Sequence, residues 1–250
     1  MYKRQEDPLI GDPNALKGGT FYFYIEDYPL TFRLMGPNSN DAFAGWNRAF
    51  TMDFTLTRLH PVTDRFIPCM ATHWSVQPDR KTVYYRLDPD ARWSDGKPIT
   101  ADDYVFCWEM MRSKHIVDPF YRRYAENYFE SVEAVEPYVL KIVGKRPSWR
   151  PLYDYSLWPM PRHAIKLGPD WVKRENNKWQ VAPGPYVVTE AVEGERVVFC
   201  LTGPDNMGSF HLNCVSCRGR RHIYPILFRS QNHPGDGDSF LYRSCGFHSS

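Results

Sequence analysis

Residues equipped for chemistry fall in three places. Near the C-terminus, His211, Cys214, Cys217 and His222 set two imidazoles around a C-x-x-C pair. Thiolate and imidazole together suit a tetrahedral zinc ion. A closed zinc site needs a second, well-spaced ligand pair, and Cys200 and Cys245 do not supply one. Haem attachment is excluded because Arg218, not His, follows Cys217. The neighbouring carboxylates Asp102 and Asp103 could do acid–base work. They fall, however, where a helix begins, and carboxylates in a first turn complement the helix dipole. His60, His73, His115 and His163 are scattered, with no spacing that ties them to a Ser or Cys nucleophile, so surface or capping roles are expected. The chain has no Gly-rich phosphate loop, no G-x-S-x-G elbow and no H-E-x-x-H helix. The expectation is a protein that is not an enzyme and holds no cofactor or metal. The alternative is a small zinc-dependent protein or hydrolase with a genuine Cys/His tail.

The elements that would position these residues are short. Gly18-Gly19 leads into a strand at Phe21 to Ile25, whose continuous apolar character suits cover on both faces. Gly36-Pro37-Asn38-Ser39-Asn40 ends it as a loop. Gln77 to Arg80 reads as a turn before the strand Thr82 to Leu87, and Ser94-Asp95-Gly96-Lys97-Pro98 as a tight turn after Trp93. Thr100 then caps a helix, with Asp103 three residues on completing the cap. Ala101, Tyr104, Val105, Trp108 and Met111 recur at helical spacing and predict one apolar stripe. Val132 to Val143, turning at Glu136-Pro137, predicts a β-hairpin with Glu133 and Lys141 on its wet face. Trp158-Pro159-Met160-Pro161 reads as an extended link into a short helix at His163 to Leu167, and strands follow at Tyr186 to Glu190 and from Arg196. The pattern is mixed α and β.

Composition narrows the class. With 31 Lys+Arg against 29 Asp+Glu, a formal charge of +2 and 42% hydrophobic residues, the chain is neither disordered nor a nucleic-acid binder driven by a basic field. Apolar runs are only a few residues long, too short to span a membrane. Proline, at 21 residues, is abundant and argues against a helix bundle. Each of the eight tryptophans is expected in the core, since an aromatic ring buries a large apolar area. Residues 200–250 break the pattern: they contain no Lys, Glu, Ala or Trp, yet hold four of the six cysteines. Setting aside the tail's five arginines and three aspartates leaves 26 basic and 26 acidic residues in the body.

The body carries a specific likeness. Pro78-Asp79-Arg80-Lys81-Thr82-Val83-Tyr84-Tyr85-Arg86-Leu87, followed by Ala91-Arg92-Trp93-Ser94-Asp95-Gly96-Lys97-Pro98-Ile99-Thr100-Ala101-Asp102-Asp103-Tyr104-Val105-Phe106, resembles the signature of bacterial extracellular solute-binding proteins of peptide-type and nickel-type ABC importers. Pro159-Met160-Pro161-Arg162-His163, Gly184-Pro185-Tyr186 and the opening Asn14 to Thr20 agree in the same order. The resemblance implies an α/β, periplasmic-binding-protein-like (type II) fold: part of a large lobe at 1–45 and 182–199, and an inserted α+β subdomain at 46–181. It also implies a second lobe, which is missing here. The family pattern stops after Phe199, so residues 200–250 are expected to be an aberrant, out-of-frame and disordered tail. Met1 to Gln5 resembles a translated adapter, and the polar start shows no signal peptide.

What the resemblance implies about function is capture of a small solute, an oligopeptide, for an ABC permease in the membrane, by a monomer outside the cytoplasm, with no nucleic acid involved. Ligands of open α/β sheets sit beyond strand ends. Asn38 and Ser39, in the loop after the first strand, and Trp158, at the lobe junction, are therefore the expected ligand-binding residues. Tight binding by this chain alone is not expected.

Overall fold

The computed structural model describes residues 21–25, 28–52, 54–193, 195–201 and 225–230. In chain order these form β1 (Phe21–Ile25), α1 (Ala42–Thr51), β2 (Thr57–Leu59), β3 (Phe66–Pro68), β4 (Ala71–Val76), β5 (Thr82–Leu87), α2 (Ala101–Arg112), α3 (Pro119–Tyr128), β6 (Phe129–Glu136) and β7 (Val139–Gly144). Then come α4 (Pro151–Asp154), α5 (Trp171–Arg174), β8 (Tyr186–Val192), β9 (Arg196–Leu201) and β10 (Pro225–Ser230). Two four-stranded sheets result, in the orders β4-β5-β7-β6 and β1-β10-β9-β8, with β2 and β3 forming a small ribbon.

The first of these sheets is antiparallel throughout and follows from simple alternation. Val83, Tyr85 and Leu87 of β5 face inward, as do Leu140 and Ile142 of β7, and Val83 pairs with Ile142 and Tyr85 with Leu140. The hairpin of β6 and β7 sets Glu133 opposite Lys141, 3.0 Å apart on the wet face. Helix α2 lies across β6 and β7. Its capping box forms as the sequence predicts: Thr100 and Asp103 satisfy one another's backbone donors at the helix start. The predicted stripe is too narrow. Val105 and Trp108 are only half-buried, whereas Phe106, Cys107 and Met110 join Ala101, Tyr104 and Met111 inside, because the helix is covered over more than half its circumference and opens to solvent only on the face of Asp102, Glu109 and Arg112.

The second sheet joins β8 and β9 as a hairpin, adds β10 antiparallel to β9, and sets β1 parallel to β10 at its edge. Helix α1 packs on it: Phe43 and Phe50 both lie against Phe199, with centroids 6.1 and 5.6 Å apart. Residues near both ends of α1 thus pack on the same sheet. Within 200–250, Cys200 and Leu201 complete β9 and Pro225–Ser230 forms β10. His211, Cys214, Cys217, His222 and Cys245 lie outside the described residues.

Three expectations need correction. No helix forms at His163 to Leu167; a single turn on the Pro161 carbonyl is all that appears. Its flanks are held elsewhere, Arg162 N by the Asp103 carboxylate at 3.2 Å and His163 by Asp95 at 2.8 Å. His60 is fully buried, its Nδ1 accepting from Val62 N and Thr63 N, so of the surface and capping roles expected for it only the capping role holds. Among the tryptophans Trp93 and Trp171 are completely buried, but Trp46, Trp149 and Trp179 are exposed.

Candidate functional site

The loop after β1 owes its shape to a buried arginine. The Arg33 guanidinium, 1% exposed, donates to the carbonyls of Met35 (3.0 Å) and Pro37 (2.8 Å) and to Asn176 Oδ1 (3.1 Å), and lies over the Trp171 ring. Burial pulls its pKa down, and the nearby Asp118 charge works against that pull. From the other side Arg48 of α1 donates to the carbonyls of Leu34 and Ser39. Gly36 has a positive φ of 95°, and a Cβ there would collide with the Arg33 guanidinium and the Ile116 carbonyl. Only glycine fits such a position.

Asp118 ties this loop to α3. One carboxylate oxygen accepts from Gly36 N at 2.8 Å, while the other caps the helix through Phe120 N and Tyr121 N. Tyr121, whose phenol is pushed up by burial, sets its ring edge-on to Trp158 at 5.8 Å. The loop and Trp158 are thereby linked through the first turn of α3.

The three expected ligand residues occupy different environments. Asn38 is exposed, in the left-handed region at φ 63°. Ser39 is buried, and its hydroxyl donates to the Gly36 carbonyl at 2.7 Å, so it shapes the loop. Trp158 is half-buried against the main core. Sequence reasoning missed Arg33, Asp118 and Tyr121. Asp118-Pro119 carried a readable signal, a capping carboxylate before proline at the first helical position. Arg33 carried none, since nothing local announces a buried arginine.

The arrangement holds an exposed amide at Asn38 and the half-buried ring of Trp158 on supports that meet at the first turn of α3. Asp103 does not resemble an acid–base residue: its carboxylate accepts from Thr100 N (2.9 Å), Trp93 Nε1 (3.3 Å) and Arg162 N (3.2 Å), joining three segments. Burial nevertheless raises its pKa above the ordinary carboxylate value, against the pull of those donors. Among the described residues, no cluster of three or more His, Cys, Asp or Glu is placed to hold a metal ion. No helix among them is long and apolar enough to cross a membrane.

Comparison with known proteins fits this architecture. The family model for bacterial extracellular solute-binding proteins, family 5 (middle region), matches residues 65–200. The periplasmic oligopeptide-binding protein OppA of Haemophilus influenzae is 30% identical over 151 residues, covering 53% of this chain and 27% of OppA. OppA of Escherichia coli is 29% identical over 150 residues, covering 52% of this chain and 27% of its own length. The chain therefore spans about a quarter of the length of these relatives. Among solved structures, NikZ from Campylobacter jejuni with Ni(L-His) superposes with a TM-score of 0.62 at 21% identity, over 84% of this chain and 39% of NikZ. Haemophilus influenzae OppA with the peptide RPPGFSPFR gives 0.62 at 22% identity, over 86% of this chain and 43% of OppA. These structural likenesses share the periplasmic-binding-protein fold, and nothing in the matches favours a zinc-dependent protein or a hydrolase. The turn at Trp93 to Lys97, the capping box of α2 and the β8–β9 hairpin all fall inside the matched region, and the chain belongs to the family 5 bacterial extracellular solute-binding proteins.

Proposed function

We propose that this chain is the N-terminal part of an extracytoplasmic receptor that captures oligopeptides for an ABC permease, acting as a monomer and without catalysis. The family match across residues 65–200 carries this reading. The peptide class is supported by the OppA relatives, which are named for oligopeptide binding. Residues 46–181 form the inserted subdomain, and 1–45 with 182–199 contribute to the large lobe. Asn38, Ser39 and Trp158 form the near wall of the solute cleft, Asn38 by its amide, Trp158 by its ring and Ser39 by fixing the loop. The far wall belongs to the second lobe.

Such a half-site binds weakly. A ligand pocket ordinarily covers roughly 70–90% of a small ligand. Leaving about 150 Å² of apolar surface uncovered forfeits ~4 kcal/mol at ~25 cal/mol/Å², roughly a thousandfold in affinity. Calorimetry with unblocked tri- and tetrapeptides is expected to show no micromolar binding, while millimolar peptide shifts the amide resonances of Asn38 and the indole of Trp158. A micromolar dissociation constant contradicts the half-site reading, and shifts confined to other residues remove Asn38 and Trp158 from it. The origin of residues 200–250 has its own test. Translation of the parent locus beyond the codon for Phe199 is expected to yield second-lobe sequence in another frame; its absence from both other frames sinks the out-of-frame reading.

A further inference from the structure

The segment between β7 and α4 presents an unusual surface. Trp149 and Tyr153 are 75% and 58% exposed, yet they are not idle. The Arg150 guanidinium carbon lies 4.5 Å from the centre of the Trp149 ring and 4.4 Å from that of Tyr153, so both rings pack on one cation. Such stacking holds the planar fork in place and leaves its N–H donors for a ligand.

The backbone beneath is fixed. Ser148 N donates to the Arg80 carbonyl, and Arg80 Nε returns a bond to the Ser148 carbonyl at 3.0 Å. Lys145 N donates to the Tyr128 carbonyl, Arg150 N to Ser148 Oγ, and the Tyr155 hydroxyl to the Arg146 carbonyl. Cations outnumber carboxylates on this surface. Arg80, Lys145, Arg146 and Arg150 are all exposed, and none has an ion pair among the described residues. Of the three carboxylates nearby, Glu130 pairs with Lys81, while Asp154 and Asp79 keep their charge but accept hydrogen bonds from within the chain, Asp154 from the Ser148 hydroxyl and Asp79 from Lys81 N, Thr82 N and the Thr82 hydroxyl. Gathering unpaired cations around exposed aromatic rings disfavours the free protein, and an oxyanion beside an apolar group relieves both costs.

We infer that this surface docks an acidic polypeptide segment, with a carboxylate held by the Arg150 fork and a neighbouring apolar side chain resting on Trp149. A bilayer fits less well, because no apolar helix face among the described residues accompanies the two rings. A single strand of nucleic acid fits less well too, since the rings' stacking faces are shared with Arg150. The surface adjoins the C-terminal end of α3, where Lys145 meets Tyr128, whereas Asn38 and Ser39 adjoin its N-terminal end. Ten residues of helix put the two sites on the order of 15 Å apart, so the inference does not depend on solute capture.

The test uses the whole chain and a hexapeptide of four glutamates and two leucines, acetylated and amidated so that it cannot imitate a solute with free termini. Calorimetry and indole resonances are expected to report binding in the millimolar range or tighter. R150Q should weaken it about tenfold, corresponding to ~1.4 kcal/mol. R150K should weaken it several-fold, because the charge survives without the planar fork. W149A should also weaken it, and R122Q, at an ion-paired arginine elsewhere, should not. Thermal melts confirm that each variant folds. Equal binding by R150Q and the parent overturns the inference, as does equal binding of the lysine counterpart of the peptide or no detectable binding at all. Capture by phosphatidylglycerol vesicles that is lost in R150Q, with no peptide binding, overturns it in favour of a membrane surface.

Discussion

The two four-stranded sheets are built to different standards. The β4-β5-β7-β6 sheet is covered by α2, and its core runs continuously from Leu34 and Met35 through Trp93, Tyr104 and Met110 to Trp171. The β1-β10-β9-β8 sheet has a much smaller buried cluster among the described residues: Phe32, Phe43, Val188, Val197 and Phe199, fringed by half-buried Tyr28, Phe50 and Tyr186. Among its described residues are aromatic rings that remain partly in water, including Trp46 stacked on Phe50 at 6.0 Å. Buried apolar area is the main stabilising term, and on the burial of the described residues the first region is expected to open after the second.

The sharpest way to break that contrast is Trp93→Ala. The ring is fully buried and its Nε1 donates to Asp103. Truncation is expected to cost about 3–5 kcal/mol and to erase the difference between the two regions. Urea unfolding checks the loss, and hydrogen exchange at β5 and β7 should rise toward that at β8 and β9.

Gly184→Ala acts on the other side. Gly184 N donates to the Thr51 carbonyl at 2.8 Å, and an added Cβ would run into that same carbonyl group. Overpacking against backbone typically costs about 1–3 kcal/mol. Exchange should accelerate in α1, β8 and β9 while β5 and β7 keep their protection. Uniform acceleration throughout would mean that the regions unfold as one.

Asp103 gives a pH test confined to the first region. Its carboxyl is held above its ordinary pKa by burial. The native state therefore keeps the proton more tightly than the unfolded chain, and the unfolded chain releases it first as pH rises. The contribution is present below the unfolded value of about 3.9 and is lost as pH climbs through the raised native value. Exchange at α2 should rise over that window more than exchange at β8. If α2 protection instead improves from the unfolded value upward, the three donors outweigh burial and the native pKa is low.

Glu133→Gln should do least. Its carboxyl is held below the ordinary range by hydrogen bonds from Lys141 and Ser131, so its contribution is present above its unfolded pKa and fades as pH falls. The pair is exposed, and exposed ion pairs add little. The thermal midpoint near neutral pH should stay within measurement error; a clear fall would mark the hairpin as a weak point of the stronger region.

Much of the β4-β5-β7-β6 sheet was legible because its signals are short. The turn at Trp93 to Lys97, the Thr100–Asp103 cap and the alternation in β5 and β7 each involve neighbours in sequence. Helix α1 was missed for a physical reason: its run Ala42 to Thr51 contains Gly45 and several aromatic residues, and it owes its burial to Phe199 and Val188, far along the chain. The expected helix at His163 failed for the converse reason, since Asp103 and Asp95 hold the groups flanking it. The candidate site was legible only as a loop and a tryptophan. Its inner supports, Arg33 and Asp118, come from segments more than eighty residues apart.

The sequence by itself determined the turns, the cap, the hairpin and the family likeness, because each rests on chemistry within a few bonds or a few residues. Tertiary structure alone decided that Asp103 would reach Arg162, that Arg33 would be buried inside the loop it shapes, and that Arg150 would lie between two exposed rings. Burial and charge pairing depend on which distant segments meet, and neither propensity nor spacing carries that information.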